Sequence, residues 1–410
     1  MKPRIVHVID SLGIGGAQSM MFELYKAIQN LYPEYPQTII LTNKNSIDKR
    51  YIESYGMTYC PVSQPLFVKT LNEMYSQYHC VLLFHKLMQS KTDIYDRLSK
   101  IMPIVTINHT YTESGGFNRF GKCHAIVSVS EQMKKMLINK TGAYKTNHVV
   151  IHNGINYKTI EDSPAGTDRP ENVFLTGRIN GLNRIKYSDS WLKWCSDVKL
   201  SKKMVHEYIG GGAYLKKATR LVNSWGGPRN EVKLLGSIHT FREKISILKR
   251  WDVFLYEINR NEGVSIAILE ALAAGVPVLC SNHYGNKEII VDGVNGYVWK
   301  SHEDVQEIME RLISNPDELS KLKESTKKHF IENLDASIMA KKYIKLIEET
   351  KQKFDSKQSP VETPLSMPPK LMIRGRKDNS YNVRSNKKER IVGKIVKTKN
   401  AIIYVPKKKK

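Results

Sequence analysis

Short runs of apolar, β-branched residues recur along the first 300 positions of the chain, and segments with helical spacing separate several of them. The first set comprises Ile5–Ile9, Thr38–Leu41, Val81–Phe84, Ile104–Ile107 and Ala125–Val129. Such runs are typical of strands that are buried on both faces of a parallel sheet. The clearest helical spacing between them lies in Met20–Ile28. The pattern therefore predicts an α/β domain.

A second alternating set follows a polar stretch, Glu161–Glu171, that contains two prolines and a glycine and reads as a linker. Its predicted strands are Val173–Thr176, Glu207–Ile209, Val232–Leu235, Val253–Tyr256, Val278–Cys280 and Tyr297–Val298. A long helical stretch, Asp317–Lys353 with breaks, closes this set. The 410 residues suffice for two cores. We expect two α/β domains, residues 1–165 and 166–355, with the last helix packing back on the first domain.

Positive charge is concentrated at the C-terminal end of the sequence. Positions 351–410 carry 18 Lys or Arg and 4 Asp or Glu, a net charge of +14, whereas the other 350 residues carry 46 and 36, a net charge of +10. Four prolines in Ser359–Lys370 indicate an extended linker. We expect residues 356–410 to form a linker and a basic tail that contacts an anionic partner.

Several protein classes are disfavoured by what the sequence lacks. No run approaches eighteen apolar residues, and the sequence enters the strand Ile5–Ile9 without a hydrophobic signal core. The five cysteines are scattered and never form a C-x-x-C pair. These features predict reduced thiols, no zinc site and a cytoplasmic location.

The first glycine cluster, Gly13-Ile14-Gly15-Gly16, comes directly after the first predicted strand and opens a helix. Glycines let a backbone approach a ligand closely, and a helix N-terminus favours a phosphate group. The spacing is not G-x-G-x-x-G, so a dinucleotide site is poorly supported. Taken alone, the cluster fits a phosphate contact or a tight packing turn equally well.

The second cluster runs from Asn261 to Val278 and places Glu262 and Glu270 eight residues apart. On a helix this spacing corresponds to about 800° of rotation and about 12 Å of rise, so both carboxylates can face one cleft. They can accept hydrogen bonds from separate hydroxyl groups of one extended ligand. The N–H groups of Gly263, Val264 and Ser265 at the helix start would hold a diphosphate between them.

The second cluster resembles the glutamate-pair signature of the family-4 retaining glycosyltransferases, which have the GT-B fold. Other segments match that family in order, namely Leu12–Ala17, Val127–Ser130, Ile151–Ile155, Thr176–Arg178, Ile209–Gly212, Leu235–Gly236, Glu288–Ile290 and Asp292–Gly296. The resemblance spans residues 4 to about 350. It implies two facing Rossmann-like domains and transfer of a sugar from a nucleoside diphosphate sugar, a co-substrate, with no further cofactor.

The resemblance also implies roles for individual residues. Glu270 would bind the nucleotide ribose, Glu262 the donor sugar, and Gly15 and Gly16 would approach the donor phosphates. Ile238, which follows Gly236, would hold the base through its backbone. His109, after the strand Ile104–Ile107, would lie near the reacting sugar.

Arg178 would neutralise the diphosphate together with a basic residue further along the chain. The family's lysine six residues after this arginine has no clean equivalent, since Arg184 stands at that spacing and Lys186 two positions later. No Asp-x-Asp motif occurs in the sequence. Because metal-dependent sugar transferases use such paired carboxylates to bind a divalent cation, we expect a metal-independent enzyme in which Arg and Lys neutralise the charge.

The acceptor is left open between two classes. One is a glycolipid or polysaccharide precursor at the inner membrane face, with the tail on anionic lipid. The other is DNA carrying a hydroxylated base, with the tail on phosphates. A function of a different kind, a non-catalytic protein that binds sugar nucleotides or polyanions, would keep the same scaffold.

Overall fold

The computed structural model describes residues 2–12, 15–41, 60–61, 71, 79–85, 92–109, 117–141, 147–182, 188–238, 240–258, 263–282 and 284–357, and the strands of the tail. The chain forms two compact units. The first contains residues 1–128, 136–149 and 340–410, and the second contains residues 129–135 and 150–339. The chain therefore changes unit at Val149–Val150, upstream of the linker near residue 165, and the last long helix is shared between the units.

The first unit contains a seven-stranded sheet with the order β3-β2-β1-β4-β5-β6-β7, in which the pairs from β3 to β6 are parallel. Its strands are β1 Ile5–Ile9, β2 Gln37–Leu41, β3 Cys60–Pro61, β4 Val81–Phe84, β5 Ile104–Asn108, β6 Ala125–Ser128 and β7 Asn147–Val150. The central strands are buried throughout, which explains their unbroken apolar character.

The described residues in this part of the sequence include the helices α1 Gly16–Leu31, α2 Thr92–Leu98 and α3 Glu131–Thr141. The buried face of α1 includes Met21, Phe22 and Leu24. Phe22 packs with Ile9 and Leu41 at the ends of β1 and β2. Full burial of such side chains stabilises the fold by about 1.5–3 kcal/mol each.

The second unit contains a six-stranded sheet with the order β10-β9-β8-β11-β12-β13, and its adjacent strands are parallel. Its strands are β8 Phe174–Ile179, β9 Met204–Ile209, β10 Glu231–Gly236, β11 Val253–Tyr256, β12 Val278–Ser281 and β13 Gly296–Trp299. Its helices in chain order are α4 Tyr157–Glu161, α5 Asp189–Asp197, α6 Leu215–Asn223, α7 Phe241–Leu248, α8 Ile266–Ala273, α9 His302–Ser314 and α10 Pro316–Asn333, and α11 Ala336–Asp355 follows.

Buried apolar clusters lie on the two faces of this second sheet. One cluster contains Trp251, Phe254 and Leu269, and the other contains Trp191, Leu255 and Met309. The first cluster explains a glycine in β8, because a Cβ atom at Gly177 would lie 2.0 Å from the indole ring of Trp251. Both units are thus Rossmann-like α/β layers, and the fold class expected from the sequence is confirmed.

The described part of the tail forms an antiparallel sheet of three strands, β14 Asn382–Arg384, β15 Arg390–Thr398 and β16 Ala401–Pro406. The predicted β-like runs Ile391–Val396 and Ala401–Val405 fall within β15 and β16. The run Leu371–Ile373 and the proline-containing linker lie outside the described residues.

Three further observations concern the described residues alone. None of their helices combines the length and the apolar character that crossing a bilayer requires. Cys80, Cys123, Cys195 and Cys280 are buried free thiols. In this part of the chain no group of three His, Cys, Asp or Glu side chains is arranged to hold a metal ion.

Candidate functional site

The strand order of the second unit reverses between β8 and β11, so their carboxyl ends form a topological switch point. The chain runs outward from β8 through β9 and β10, returns to β11, and then continues through β12 and β13. In open α/β sheets the helices that follow neighbouring strands diverge at such a point, and ligands bind in the crevice beyond the carboxyl ends. Those predicted donor-binding residues of this unit that the structure describes lie on β8, on β10 and just after it, and on α8 and just before it.

Arg178 lies near the end of β8, and its side chain is 2% exposed. Its Nη2 donates to the main-chain oxygen of Glu257 over 2.5 Å, and its Nη1 lies 3.5 Å from Oε2 of the same residue. The guanidinium also lies over the rings of Tyr208 and Tyr256, 5.7 and 5.4 Å from their centroids. A buried guanidinium needs such partners, because an uncompensated buried charge is strongly destabilising.

Glu257, which the sequence analysis did not single out, comes directly after β11. The contact of Arg178 with Glu257 therefore joins the ends of the two strands that define the switch point. Nε of Arg178 is buried and has no hydrogen-bond partner among the residues that the structure describes. Arg178 thus lies at this edge of the sheet and is held there by a carboxylate of its own chain, while its contact with a diphosphate stays a prediction.

A layer of glycine backbone lies at the ends of β9 and β10. The N–H of Gly210 donates to the carbonyl of Gly236 over 2.8 Å, and the N–H of Leu182 donates to the carbonyl of Gly211 over 2.8 Å. A Cβ atom at Gly210 would lie 1.8 Å from the carbonyl oxygen of Asn180, so no larger residue fits there. Gly236 has a φ of +70°, the left-handed region that favours glycine.

Ile238, two residues after Gly236, is half-buried and packs on the core cluster that contains Trp251. It stands just before Thr240, whose hydroxyl caps α7 by accepting from the N–H of Glu243. Ile238 thus lies between the end of β10 and the start of α7, and its contact with the base stays a prediction.

The start of α8, the cradle that the sequence predicts to hold a diphosphate, is described from Gly263 onward. Gly263 and Val264 are buried, and Ser265 stands at the N-cap with an extended backbone. The N–H of Ser265 donates over 3.0 Å to Oδ1 of Asn286, a residue that is 1% exposed. The N–H groups in the first turn of a helix have no intrahelical acceptors, and the helix dipole favours an anion there.

Glu270 lies on α8 and is 3% exposed. Its Oε1 accepts from Nζ of Lys244, on α7, over 2.5 Å. Lys244 was not identified from the sequence, because nothing in its neighbours marks it as more than a surface lysine. Glu262, Arg184 and Lys186 lie outside the described residues, so the geometry of the glutamate pair and of the second predicted cation is not described.

In the first unit the corresponding switch point lies between β1 and β4. Gly15 is the extended N-cap of α1, and Gly16 is its first residue. A Cβ atom at Gly15 would lie 2.5 Å from Oε1 of Gln18, whose amide Nε2 donates to the carbonyl and hydroxyl oxygens of Ser11. Gln18 therefore contacts Ser11 and leaves no room for a side chain at Gly15.

His109 follows β5 and belongs to a column of stacked imidazoles. Its ring lies 5.8 Å from that of His85, and the rings of His85 and His7 are 5.2 Å apart. Burial lowers the pKa of His109 and of His7 to about 4. The pKa of His85 is lowered further below its usual value, by burial and then by the two neighbouring histidines.

Hydrogen bonds fix the polarity of this column. Nε2 of Gln37 donates to the carbonyl of Tyr25 over 2.9 Å, so the remaining Oε1 accepts from Nε2 of His7 over 3.0 Å. Nδ1 of the neutral His7 then accepts from Nε2 of His85 over 2.9 Å. Nε2 of His109 is buried and without a hydrogen-bond partner in the described part of the chain. His109 is thus a neutral imidazole at physiological pH.

Comparison with known proteins finds a family model that matches part of the chain and solved structures that share its fold. Residues 159–329, about two fifths of the chain, match the model of the glycosyl transferases group 1. An uncharacterized glycosyltransferase of Methanocaldococcus jannaschii, MJ1069, is 24% identical over 252 residues. That alignment spans 59% of this chain and 62% of the relative, less than two thirds of its length.

Solved structures resemble the whole fold at low sequence identity. Anabaena HepE in complex with UDP-glucose superposes with a TM-score of 0.68 and 16% identity over 85% of this chain and 100% of that chain. The lipopolysaccharide outer core galactosyltransferase WaaB superposes with a TM-score of 0.61 and 13% identity over 84% of this chain and 99% of that chain. Residues 159–329 thus resemble the group 1 glycosyl transferases, and the chain shares its fold with these solved structures.

Proposed function

We propose that this protein transfers a hexosyl or pentosyl group from a nucleoside diphosphate sugar to an acceptor hydroxyl, with retention of the anomeric configuration. The observation that carries the proposal is the placement of Arg178, the N-terminus of α8 and Glu270 on one carboxyl edge of the second unit. That edge lies within the segment that matches group 1 glycosyl transferases. HepE, which shares the fold, is described in complex with UDP-glucose, which supports a nucleotide sugar as the donor.

In this proposal the second unit binds the donor. Glu270 accepts hydrogen bonds from the ribose hydroxyls, and Glu262 accepts hydrogen bonds from the donor sugar. The backbone near Ile238 forms hydrogen bonds with the base. The start of α8 holds the diphosphate, with Arg178 and Arg184 or Lys186 as the cations. From the first unit, Gly15 and Gly16 approach the phosphates and His109 meets the reacting sugar as a neutral imidazole.

The bond between the anomeric carbon and the diphosphate oxygen breaks during the reaction, and the nucleoside diphosphate leaves with the electron pair. A bond from the acceptor oxygen to the anomeric carbon forms, and the acceptor's hydroxyl proton passes to the departing diphosphate. The residues of the cradle stabilise the charge that develops on the leaving group, which is commonly the largest contribution to catalysis. Arg and Lys side chains perform this task here without a metal ion.

For the acceptor we favour a glycolipid or polysaccharide precursor, with the enzyme bound peripherally to the inner membrane face. WaaB, which shares the fold, is named for its action on lipopolysaccharide. The net charge of +14 in positions 351–410 suits an anionic lipid surface, where each Lys or Arg contributes about 1 kcal/mol. The same charge also fits DNA with a hydroxylated base, so nucleic acid is retained as the second candidate acceptor.

A donor screen tests the proposal. The purified chain is incubated with UDP-, GDP-, ADP- and dTDP-sugars, and the released nucleoside diphosphate is quantified with and without candidate acceptors. We expect one donor class to be turned over, and proton NMR of the product to show the donor's anomeric configuration. Tight binding of a nucleotide sugar without any turnover would instead favour a non-catalytic binding protein.

A further inference from the structure

The helices α7 and α8 bring two oppositely charged side chains together at the carboxyl edge of the second sheet. Lys244 lies in the second turn of α7, after the loop that contains Gly236 and Ile238. Glu270 lies in the second turn of α8, after the predicted diphosphate cradle. Nζ of Lys244 and Oε1 of Glu270 are 2.5 Å apart.

The two partners differ in accessibility. The side chain of Glu270 is 4% exposed and that of Lys244 is 21% exposed. The ammonium group also lies 5.2 Å from the ring centroid of Phe241, one turn earlier on α7. A molecule that approaches this edge therefore meets the lysine more readily than the carboxylate. By comparison, the guanidinium of Arg178 is 2% exposed and held by Glu257.

Lys244 and Glu270 can each form hydrogen bonds in addition to the one between them. An ammonium has three donors and a carboxylate has about four lone-pair positions, so one shared bond leaves both groups able to bind a ligand. The matching ligand offers hydroxyl donors next to anionic oxygens. A ribose attached to a diphosphate has this arrangement.

We propose that Lys244 is a further donor-binding residue, which contacts the diphosphate oxygens while its partner Glu270 accepts the ribose hydroxyls. This inference rests on the proposed function and adds to it a cation other than Arg178, Arg184 and Lys186. The lysine exchanges part of its contact with Glu270 for phosphate oxygens when the nucleotide binds.

Calorimetry on the full-length chain with UDP, GDP and ADP, and with the matching nucleosides, separates these roles. For the diphosphate that binds, Lys244→Met should weaken affinity at least tenfold, and it should change the affinity for the nucleoside by less than twofold. Glu270→Gln should weaken the affinity for both the diphosphate and the nucleoside. The control Lys193→Met removes a lysine from an exposed pair with Asp197 on α5 and should leave both affinities unchanged.

The outcomes distinguish this inference from the proposed function. If the wild type binds none of the three diphosphates, the proposed nucleotide site itself is wrong. If it binds one and Lys244→Met binds it equally well, or loses diphosphate and nucleoside affinity to the same extent, the phosphate contact of Lys244 is wrong. Because Lys244→Met leaves a buried carboxylate, the double variant Lys244→Met, Glu270→Gln is measured as well. That variant should retain the wild-type thermal transition and bind the diphosphate at least tenfold more weakly than Glu270→Gln alone; equal affinity of these two variants would overturn the phosphate contact of Lys244.

Discussion

The side chain of Arg178 and the backbone and carboxylate of Glu257 meet across the switch point of the second sheet, with 2.5 Å from Nη2 to the main-chain oxygen and 3.5 Å from Nη1 to Oε2. Strands β8 and β11, which carry these residues at their ends, are neighbours in the sheet although 79 positions separate the two residues. The contact therefore has two consequences. It stabilises the edge of the sheet, and it sets the position of a cation at the proposed donor site.

Replacing Arg178 by Met should lower the free energy of unfolding by about 2–3 kcal/mol, because the guanidinium is buried and its loss leaves Glu257 without its partner. This loss is smaller than the about 3–5 kcal/mol that removing one partner of a fully buried ion pair costs, because the side chain of Glu257 is 20% exposed. Urea denaturation followed by circular dichroism measures the effect. Arg242→Met, an exposed position on α7, serves as the control. An unchanged midpoint for Arg178→Met would show that the contact contributes no stability.

Stability should decrease as the pH falls from about 6.5 towards 4. The folded-state pKa values of His7 and His109 are about 4, below the unfolded value near 6.5, so the unfolded chain takes up protons in this window that the folded chain does not. Each histidine then contributes about 1–2 kcal/mol of lost stability between pH 7 and pH 5. His206, whose pKa burial and then Arg178 lower to about 3, acts in the same direction.

Urea titrations at pH 7.5, 6 and 5 check this prediction. His7→Gln should reduce the loss of stability between pH 7.5 and 5, because one of the buried histidines no longer titrates. A wild-type chain equally stable at all three pH values would contradict the assignment of neutral, buried imidazoles.

Most of the fold could be predicted from apolar runs, because strands buried on both faces leave an unbroken pattern. Val81–Phe84 and Val253–Tyr256 match their predicted bounds. The strand β7, Asn147–Val150, was missed because it is only half-buried and begins with two polar residues. The strand β9 begins at Met204, three residues before its predicted start, since buried His206 hides its apolar character.

The site was less predictable, because its contacts join residues far apart in sequence. Motif order selected Arg178 and Glu270, but it gave no sign of their partners Glu257 and Lys244. Similarly, His7 and His85 carry no local signal, although parallel pairing of β1 with β4 brings their rings together. Such partners depend on strand order, which a single sequence does not display.

Activity should survive an excess of EDTA. The sequence has no Asp-x-Asp pair to bind a divalent cation, and the start of α8 with Arg178 and other basic residues can neutralise the diphosphate. Turnover measured before and after chelation and dialysis should agree within twofold. Complete loss of turnover that magnesium or manganese restores would overturn the metal-independent mechanism.

Deleting residues 359–410 should leave donor binding intact, because every predicted donor residue precedes position 300, while transfer to the acceptor should fall. The expected cause is loss of the positive charge of the tail, so a full-length variant with the tail Lys and Arg residues changed to Gln should behave like the deletion.

Co-sedimentation with anionic vesicles at physiological salt should require the tail. A steeply salt-dependent shift of duplex DNA without vesicle binding would favour the DNA acceptor. Equal transfer with and without the tail would show that it has no part in acceptor binding.

The central claim is that the carboxyl edge of the second unit binds and activates a nucleotide sugar, and paired glutamate variants test it most directly. Donor affinity and nucleoside diphosphate release are measured for the wild type, Glu270→Ala and Glu262→Ala with the donor found in the screen. Losing one charged hydrogen bond to the ligand costs about 1.5–3 kcal/mol. We predict that Glu270→Ala binds the donor at least tenfold more weakly, whereas Glu262→Ala chiefly lowers turnover. Wild-type affinity and turnover in both variants would contradict the account.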